Sequence, residues 1–283
     1  MSPEDFEYTA RMLREQSGLL LTRDKGYLVE NRLVPVLRER GYKTVTDLVE
    51  ALKGGETSLQ AEVVDAMLPK DTGFFRDWKP FVHFQSVVLP NIVRARGLKK
   101  SIRILCAGCS TGQEAHSIAM SLRDAASSLA GWKAEIIGID LSDSAIAAAE
   151  NGQYSQFDIQ RGLPVSKLLT YFTKSEEHWT INVGVGSMIE FKTWNLLKDL
   201  YPLGQFDVVL CRNVLVYFDL KTKFDVLQKI SRVLVDGGVL YLGLDDAVSG
   251  VSENFRAVVP EQGVYAVQRS GHPSSSSLAN KAR

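Results

Sequence analysis

Apolar positions in the first quarter of the chain recur at helical spacing among charges. Phe6, Met12, Leu13 and Leu19 to Leu21 form one set, and Leu28, Val29, Leu33, Val36 and Leu37 form a second within Gly26 to Arg40. Thr22 or Asp24 stands where a cap for that second helix belongs, and Pro35 inside it predicts a kink or a split. Thr44 predicts the cap of a further helix over Val45 to Leu52, which Gly54-Gly55 ends. No strand pattern occurs before about residue 70.

From about residue 100 the pattern changes to short apolar runs separated by amphipathic segments. Strands are expected at Ile102 to Leu105, Glu135 to Ile139, Phe191 to Trp194, Val208 to Leu210, Val239 to Leu242 and Val264 to Val267. Helices are expected at Gln113 to Leu129, at Ser142 to Glu150 with Ser142 as cap, and at Lys221 to Leu234, with Asp236-Gly237-Gly238 as its stop. Alternating strands and helices imply an α/β fold with a doubly wound, mostly parallel sheet behind a small all-helical segment. Residues 271–283, which include four consecutive serines with the residues just before, read as a disordered tail.

The run Phe206 to Phe218, FDVVLCRNVLVYF, carries the most chemistry. Its strand is apolar enough to be buried on both faces and ends abruptly in Cys211-Arg212-Asn213, with Tyr217 close behind. Ligands bind at the carboxyl ends of the strands in such sheets. Two earlier strand ends match it. One runs into Gly108-Cys109-Ser110-Thr111-Gly112 and then a helix whose first turn holds Glu114. Small residues there let a ligand approach backbone N–H groups. The GxxxG spacing is not the GxGxxG of pyrophosphate binding, and Glu114 would repel a pyrophosphate but suit an ammonium. The other ends in Asp140, placed to accept ribose hydroxyls or to cap the next helix. Asn195 ends a third strand, where it meets an adenine edge or serves as a turn residue. A glycine loop with Glu, an Asp and two Asn suit an adenosine carrying an amino acid, which is S-adenosylmethionine. NAD is the poorer fit.

Composition narrows this further. In 283 residues, Lys+Arg and Asp+Glu are both 33, so the formal net charge is zero, against a general nucleic-acid binder. No run is long enough to span a bilayer, and the acidic N-terminus lacks a signal-peptide pattern. Three cysteines give no disulfide framework, so the expected location is cytoplasmic. Cys106 and Cys109 have CxxC spacing, but no second pair exists and the four histidines are scattered, so no metal is expected.

Six motifs in order then give a resemblance. They are DTGFFRD (Asp71 to Asp77), AGCSTGQEAHS (Ala107 to Ser117), GIDLS (Gly138 to Ser142), YSQFDIQRGLP (Tyr154 to Pro164), IEFKTWNLL (Ile189 to Leu197) and CRNVLVYF (Cys211 to Phe218). With them the chain resembles the CheR-type chemotaxis receptor protein-glutamate O-methyltransferases over about residues 3 to 268. The resemblance implies a Rossmann-like class I methyltransferase sheet over residues 76–270, a substrate-docking helical domain over 1–75, and a small β-subdomain at about 160–190. The cofactor implied is S-adenosyl-L-methionine, leaving S-adenosyl-L-homocysteine. The reaction implied is methylation of glutamate carboxylates on a chemoreceptor's cytoplasmic helical bundle by a monomer, tuning chemotactic adaptation.

Carried over by motif, Thr72, Arg76, Gly108, Glu114, Asp140, Asn195, Leu196, Arg212 and Asn213 bind the cofactor. Glu114 takes the ammonium, and Asn195 and Leu196 line the adenine pocket. Arg76 and Tyr217 serve the methyl-transfer site. The helical domain carries Arg23, Lys25, Arg32, Arg38, Arg40 and Lys43 against Asp24, Glu30 and Glu39, a basic face fit for an acidic bundle or merely a solvated one. The chain departs from the family pattern at Lys70 and Asp71, at Ala115 and His116, at Gly186 and at Asp246. Those departures leave a catalytically weakened cofactor-binding signalling module, or a small-molecule methyltransferase, as alternatives.

Overall fold

The computed structural model describes residues 1–246 and 252–268; the expected tail at 271–283 lies outside them. Four helices open the chain: α1 (Pro3–Ser17), α2 (Gly26–Arg40), α3 (Val45–Lys53) and α4 (Thr57–Met67). They close around Leu13, Val29, Leu33, Leu48, Leu52, Leu59, Val63 and Met67, all fully buried. Thr44 caps α3 as expected, and Asp47 returns the bond in a capping box. Thr22 and Asp24 do not cap α2. A 3₁₀ turn at Arg23–Lys25 runs straight into the helix and supplies the first hydrogen bonds itself. Pro35 does not split α2, because Pro35 and Asn31 both face solvent, so water can meet the carbonyl left unbonded.

Next come α5 (Lys79–His83), a π turn at Phe84–Val88 and α6 (Leu89–Ala95). The alternating part then runs β1 (Ser101–Ala107), α7 (Gln113–Asp124), β2 (Lys133–Asp140), α8 (Asp143–Asn151), β3 (Gln153–Tyr154), α9 (Gln156–Gln160) and α10 (Val165–Tyr171). It continues through β4 (Phe172–Lys174), β5 (Trp179–Ile181), α11 (Val183–Gly186), β6 (Ile189–Thr193), β7 (Phe206–Cys211), α12 (Leu220–Val233), β8 (Leu234–Leu242), β9 (Phe255–Val259) and β10 (Val264–Val267). Seven strands form one sheet in the order β6-β2-β1-β7-β8-β10-β9. Its first five are parallel, and β10 runs antiparallel to both its neighbours. The path leaves β1 toward β2 and β6, then returns to β7 on the other side of β1. That reversal opens a crevice at the carboxyl ends of β1 and β7. β7 is buried at every residue, as its apolar run requires.

Several boundaries differ from the sequence pattern. Helix α7 stops at Asp124, not Leu129, and turns follow. Asp236-Gly237-Gly238 does not separate α12 from a strand; the helix ends at Val233 and β8 begins at Leu234. The glycine pair sits inside β8 where the register against β7 shifts, and a Cβ on Gly238 would stand 2.8 Å from the Val235 carbonyl. β9 carried no readable strand signal. A second sheet, β3-β5-β4, stands apart from the main one. Phe74 joins it to the rest, fully buried, with its ring edge-on to Tyr154 at 4.9 Å and Phe172 at 5.5 Å. Among the described residues no helix is long and apolar enough to cross a membrane, and no cluster is built for a metal. Cys106, Cys109 and Cys211 are buried free thiols.

The turn that seats the second sheet against Phe74 is testable. Gly162 has φ +91, and a Cβ there would lie 2.2 Å from the Phe74 carbonyl oxygen. Gly162→Ala should cost about 1–3 kcal/mol in chemical denaturation, since both the backbone and the contact must yield. An unchanged midpoint would mean the turn does not rest on Phe74.

Candidate functional site

A cleft of about 940 Å³, open solvent at its mouth included, occupies the crevice. One wall is the end of the helical layer at Ser17, Leu19, Leu68 and Pro69. The remainder comes from the 71–76 segment and the carboxyl ends of β1, β2, β6 and β7. Thr72, Arg76, Gly108, Glu114, Asp140, Asn195, Leu196, Arg212, Asn213 and Tyr217 all line this one space. Five separate stretches of sequence therefore converge where the topology places a ligand.

The loop after β1 turns tightly through Gly108 (φ +76), Ser110 (φ +49) and Gly112 (φ +91). At Gly108 a Cβ would fall 2.4 Å from Val214, so only glycine lets this loop meet the loop after β7. Asp140 fastens the same region. One carboxylate oxygen accepts from Ser110 N–H at 2.8 Å and the other from Ser142 N–H at 3.0 Å. Ser142, as expected, is the cap of α8. Burial pushes the Asp140 carboxyl above its ordinary value, against the pull of these N–H groups.

Arg212 is the most enclosed charge in the cleft, its side chain 1% exposed. Its Nη1 donates to Glu114 Oε2 at 2.9 Å; its Nη2 donates to Asp77 Oδ2 at 2.6 Å and to the Arg76 carbonyl at 2.9 Å. The Arg212 Nε is buried with no partner among the described residues. Glu114 is therefore not a free carboxylate waiting for an ammonium, since Arg212 already holds one of its oxygens. Oε1 makes no hydrogen bond among the described residues, while the residue lines the cleft. Burial raises the Glu114 carboxyl and the neighbouring guanidinium opposes that rise.

The segment around Arg76 is strained. Phe75, Asp77 and Trp78 have φ of +48, +64 and +45, a region that L residues rarely adopt. Phe75 N–H donates to Ser117 Oγ at 3.0 Å, and Arg212 holds the Arg76 carbonyl, so neighbours on both sides fix the backbone. Arg76 itself is 35% exposed and donates to the Asp71 carbonyl at 3.0 Å.

Asn195 takes the turn role, one of its two expected readings. β6 ends at Thr193, and both ends of the Asn195 amide are engaged: Nδ2 donates to the Gln16 carbonyl at 2.6 Å and Oδ1 accepts from Leu197 N–H at 2.9 Å. The side chain ties α1 to the cleft wall, leaving the backbone and Leu196 to meet a base. Trp194 beside it has a buried indole N–H with no partner among the described residues.

Asp246, read from sequence only as a departure, is fully buried and accepts from the N–H groups of Asn213, Val216 (2.8 Å) and Gly243 (3.0 Å). It shapes the 3₁₀ turn Leu215–Tyr217 that carries Tyr217 into the cleft. His116 is buried behind the glycine loop, with Nδ1 2.7 Å from the Tyr154 hydroxyl; burial pulls its pKa down to about 4. Tyr154 donates in turn to the Thr111 carbonyl at 2.9 Å. Sequence signalled neither bond, because each spans at least 30 residues.

The expected basic face is smaller than its sequence count. Arg40 pairs with Glu62 and Glu56, Arg23 with Glu7, and Arg32 donates to the Met67 carbonyl. Lys25, Arg38 and Lys43 are exposed, with no ion pair among the described residues.

The cleft fits S-adenosylmethionine on its own features: a free carboxylate oxygen at Glu114, a glycine cradle at Gly108, and an unpartnered indole donor at Trp194. Comparison with known proteins agrees. Residues 70–264 match the family model "CheR methyltransferase, SAM binding domain", and residues 4–68 match "CheR methyltransferase, all-alpha domain". Chemotaxis protein methyltransferase 1 of Pseudomonas aeruginosa is 36% identical over 264 residues, covering 92% of this chain and 96% of its own. Chemotaxis protein methyltransferase Cher2 of Pseudomonas putida is 35% identical over 268 residues, with coverage of 92% and 96%. A chemotaxis protein methyltransferase of Vibrio parahaemolyticus is 30% identical over 268 residues, with coverage of 93% and 96%.

The raised carboxyls set a pH dependence. Only an ionised carboxylate holds an ammonium, and burial lifts Glu114 and Asp140 above their ordinary 4.5 and 3.8. Affinity for S-adenosylhomocysteine is thus complete above the raised values and falls as pH drops through them, by up to about tenfold per pH unit for each group. Calorimetry should show the fall starting at a higher pH than exposed carboxylates give, and Glu114→Gln should flatten it. A wild-type profile that falls no earlier than exposed carboxylates would give would contradict this assignment.

Proposed function

The chain belongs to the CheR methyltransferase family, and on that footing we propose that it methylates glutamate side-chain carboxylates on the cytoplasmic domains of chemoreceptors. S-adenosylmethionine-dependent methylation in chemotaxis is the coarser part of that reading, and the family supports it. The glutamate acceptor rests on one observation above all. Inside the cleft Glu114 and Asp140 outnumber the enclosed Arg212, while Arg76 is the partly exposed guanidinium at the lip, beside Asp71, and Tyr217 shares the same space. Inner acids suit an ammonium and ribose hydroxyls; an outer guanidinium suits an incoming carboxylate.

S-adenosylmethionine supplies a methyl on a sulfonium, and its transfer forms the ester C–O bond as the S–CH₃ bond breaks, leaving the electron pair on sulfur and moving no proton. A glutamate carboxylate, with an ordinary pKa of about 4.3, is already ionised at neutral pH and needs no base. The residues must instead orient it, exclude water and keep it unprotonated. Arg76 does this with a planar, charged fork that matches a carboxylate. Tyr217 presents a phenol that orients the second oxygen. Asp246 and Arg212 hold the backbone under each of these two residues. The helical domain, through Lys25, Arg38 and Lys43, meets the acidic surface around the acceptor.

Incubation with methyl-labelled cofactor and receptor cytoplasmic domains should give a product that mild alkali hydrolyses to volatile methanol. An alkali-stable label would reject the ester and favour an N-methyl product. Arg76→Ala should lower turnover by about one to two decades with little change in cofactor affinity, the worth of a charge-assisted contact of about 1.5–3 kcal/mol. Arg76→Lys should restore only part, because an ammonium lacks the planar fork. Full-rate ester formation by Arg76→Ala would make Arg76 a structural residue.

The docking surface is tested separately. Arg38→Glu with Lys43→Glu should weaken receptor methylation at low salt, leave S-adenosylhomocysteine affinity alone, and lose its effect as salt rises. Equal activity of mutant and wild type at low salt would remove this face from the substrate interface.

A further inference from the structure

A carboxylate of the protein's own stands between two guanidinium groups at the lip of the cleft. Asp71 Oδ1 accepts from Arg161 Nη2 at 2.5 Å, and its Oδ2 lies 3.4 Å from Arg76 Nη1. Asp71 and Arg76 line the cleft, whereas Arg161 reaches in from the turn after α9. Asp71 is the most exposed of the three at 57%, against 40% for Arg161 and 35% for Arg76. The Arg161 bond, more than Arg76, draws its carboxyl below the ordinary value. Ion pairs this exposed contribute little to stability, and another carboxylate can replace one at small cost.

Arg161 is nevertheless well fixed. A Cβ on Gly73 would lie 3.2 Å from the Arg161 carbonyl, and the next residue, Gly162, rests on the Phe74 carbonyl. Its guanidinium also lies 5.6 Å over the ring of Phe157, an aromatic side chain 66% exposed. Two planar forks and an apolar shelf thus surround a carboxylate that solvent can reach. An acidic side chain of a protein substrate has the same chemistry as the group now between them.

Resting on the carboxylate acceptor proposed above, we propose that Asp71 is an internal stand-in for the substrate. The acceptor carboxylate enters by displacing Asp71 from between Arg76 and Arg161. Arg161 is then a specificity residue for acidic acceptors, and Asp71 is its built-in competitor. Lys70, one of the departures from the family pattern, pins the chain beside Asp71 through Asp65 at 2.9 Å and Ser144 at 2.7 Å, so only the Asp71 side chain has to swing.

Steady-state methylation of a receptor cytoplasmic domain by the full chain, with varied receptor, tests this. Ester formation by the wild type, measured first in the same assay, settles the acceptor chemistry separately from the role of Asp71. Arg161→Gln should raise KM for the receptor about tenfold, with S-adenosylhomocysteine affinity unchanged. Asp71→Asn keeps the shape, removes the competing charge, and should lower that KM about two- to fivefold at unchanged kcat. In the double variant the gain should vanish. A support for Arg76 or for the Arg161 turn would instead lose activity when neutralised. An Asp71→Asn enzyme with an unchanged or higher KM, or with reduced kcat, overturns the proposal even where wild type makes ester.

Discussion

The geometry of the cleft depends on one buried guanidinium. Arg212 leaves the end of β7, enters an environment with almost no solvent, and spends its forks on Glu114 from α7 and on Asp77 and the carbonyl of Arg76. The partners come from two stretches of chain, the 76–77 segment and α7, and Glu114 is 98 residues away. Removing one partner of such a group strands a charge away from water, typically at about 3–5 kcal/mol. The arrangement is not an efficient source of stability, because desolvation consumes most of the attraction. What it fixes is position: the first turn of α7, the strained 75–78 backbone and the end of β7 cannot move independently.

Two further carboxylates extend that framework through backbone N–H groups. Asp140 joins the loops after β1 and β2, and Asp246 gathers the loop after β7. In each case a buried carboxylate accepts several N–H bonds, which is the arrangement that lets a negative charge persist inside a protein. The result is a cleft that sets two carboxylates deep, one of them held by Arg212, and the Arg76 guanidinium at the mouth. The sorting suits a cofactor that brings a cation and an acceptor that brings an anion, and it follows from where each residue falls along its strand or loop.

Much of this was legible in the sequence, for a definite reason. Apolar runs that stop abruptly in Asp140 or Cys211-Arg212-Asn213 identify strand ends, and a parallel α/β sheet collects its strand ends along one edge. Identifying the residues that line the cleft needed no knowledge of their partners. Where partners mattered, local reading failed. Arg40 counted toward a basic face until Glu56 and Glu62 came into view, and the choice between base reader and turn residue for Asn195 depended on Gln16 and Leu197, which take both ends of its amide. Gly237-Gly238 has the composition of a turn and the position of a strand irregularity, a distinction set by the neighbouring β7. The weight of Asp246 could not be read at all, because two of its donors, the N–H groups of Asn213 and Val216, lie about 30 residues away.

The central claim is that Arg212 holds Glu114 by one oxygen and leaves the other to the cofactor. A crystal structure of the complex with S-adenosylhomocysteine tests it most directly. The account predicts the amino group of the ligand within hydrogen-bond distance of Glu114 Oε1, with the Arg212 bond to Oε2 intact and the ribose beside Asp140. A ligand whose amino group lies away from Glu114, or whose binding breaks the Glu114–Arg212 pair, would contradict it.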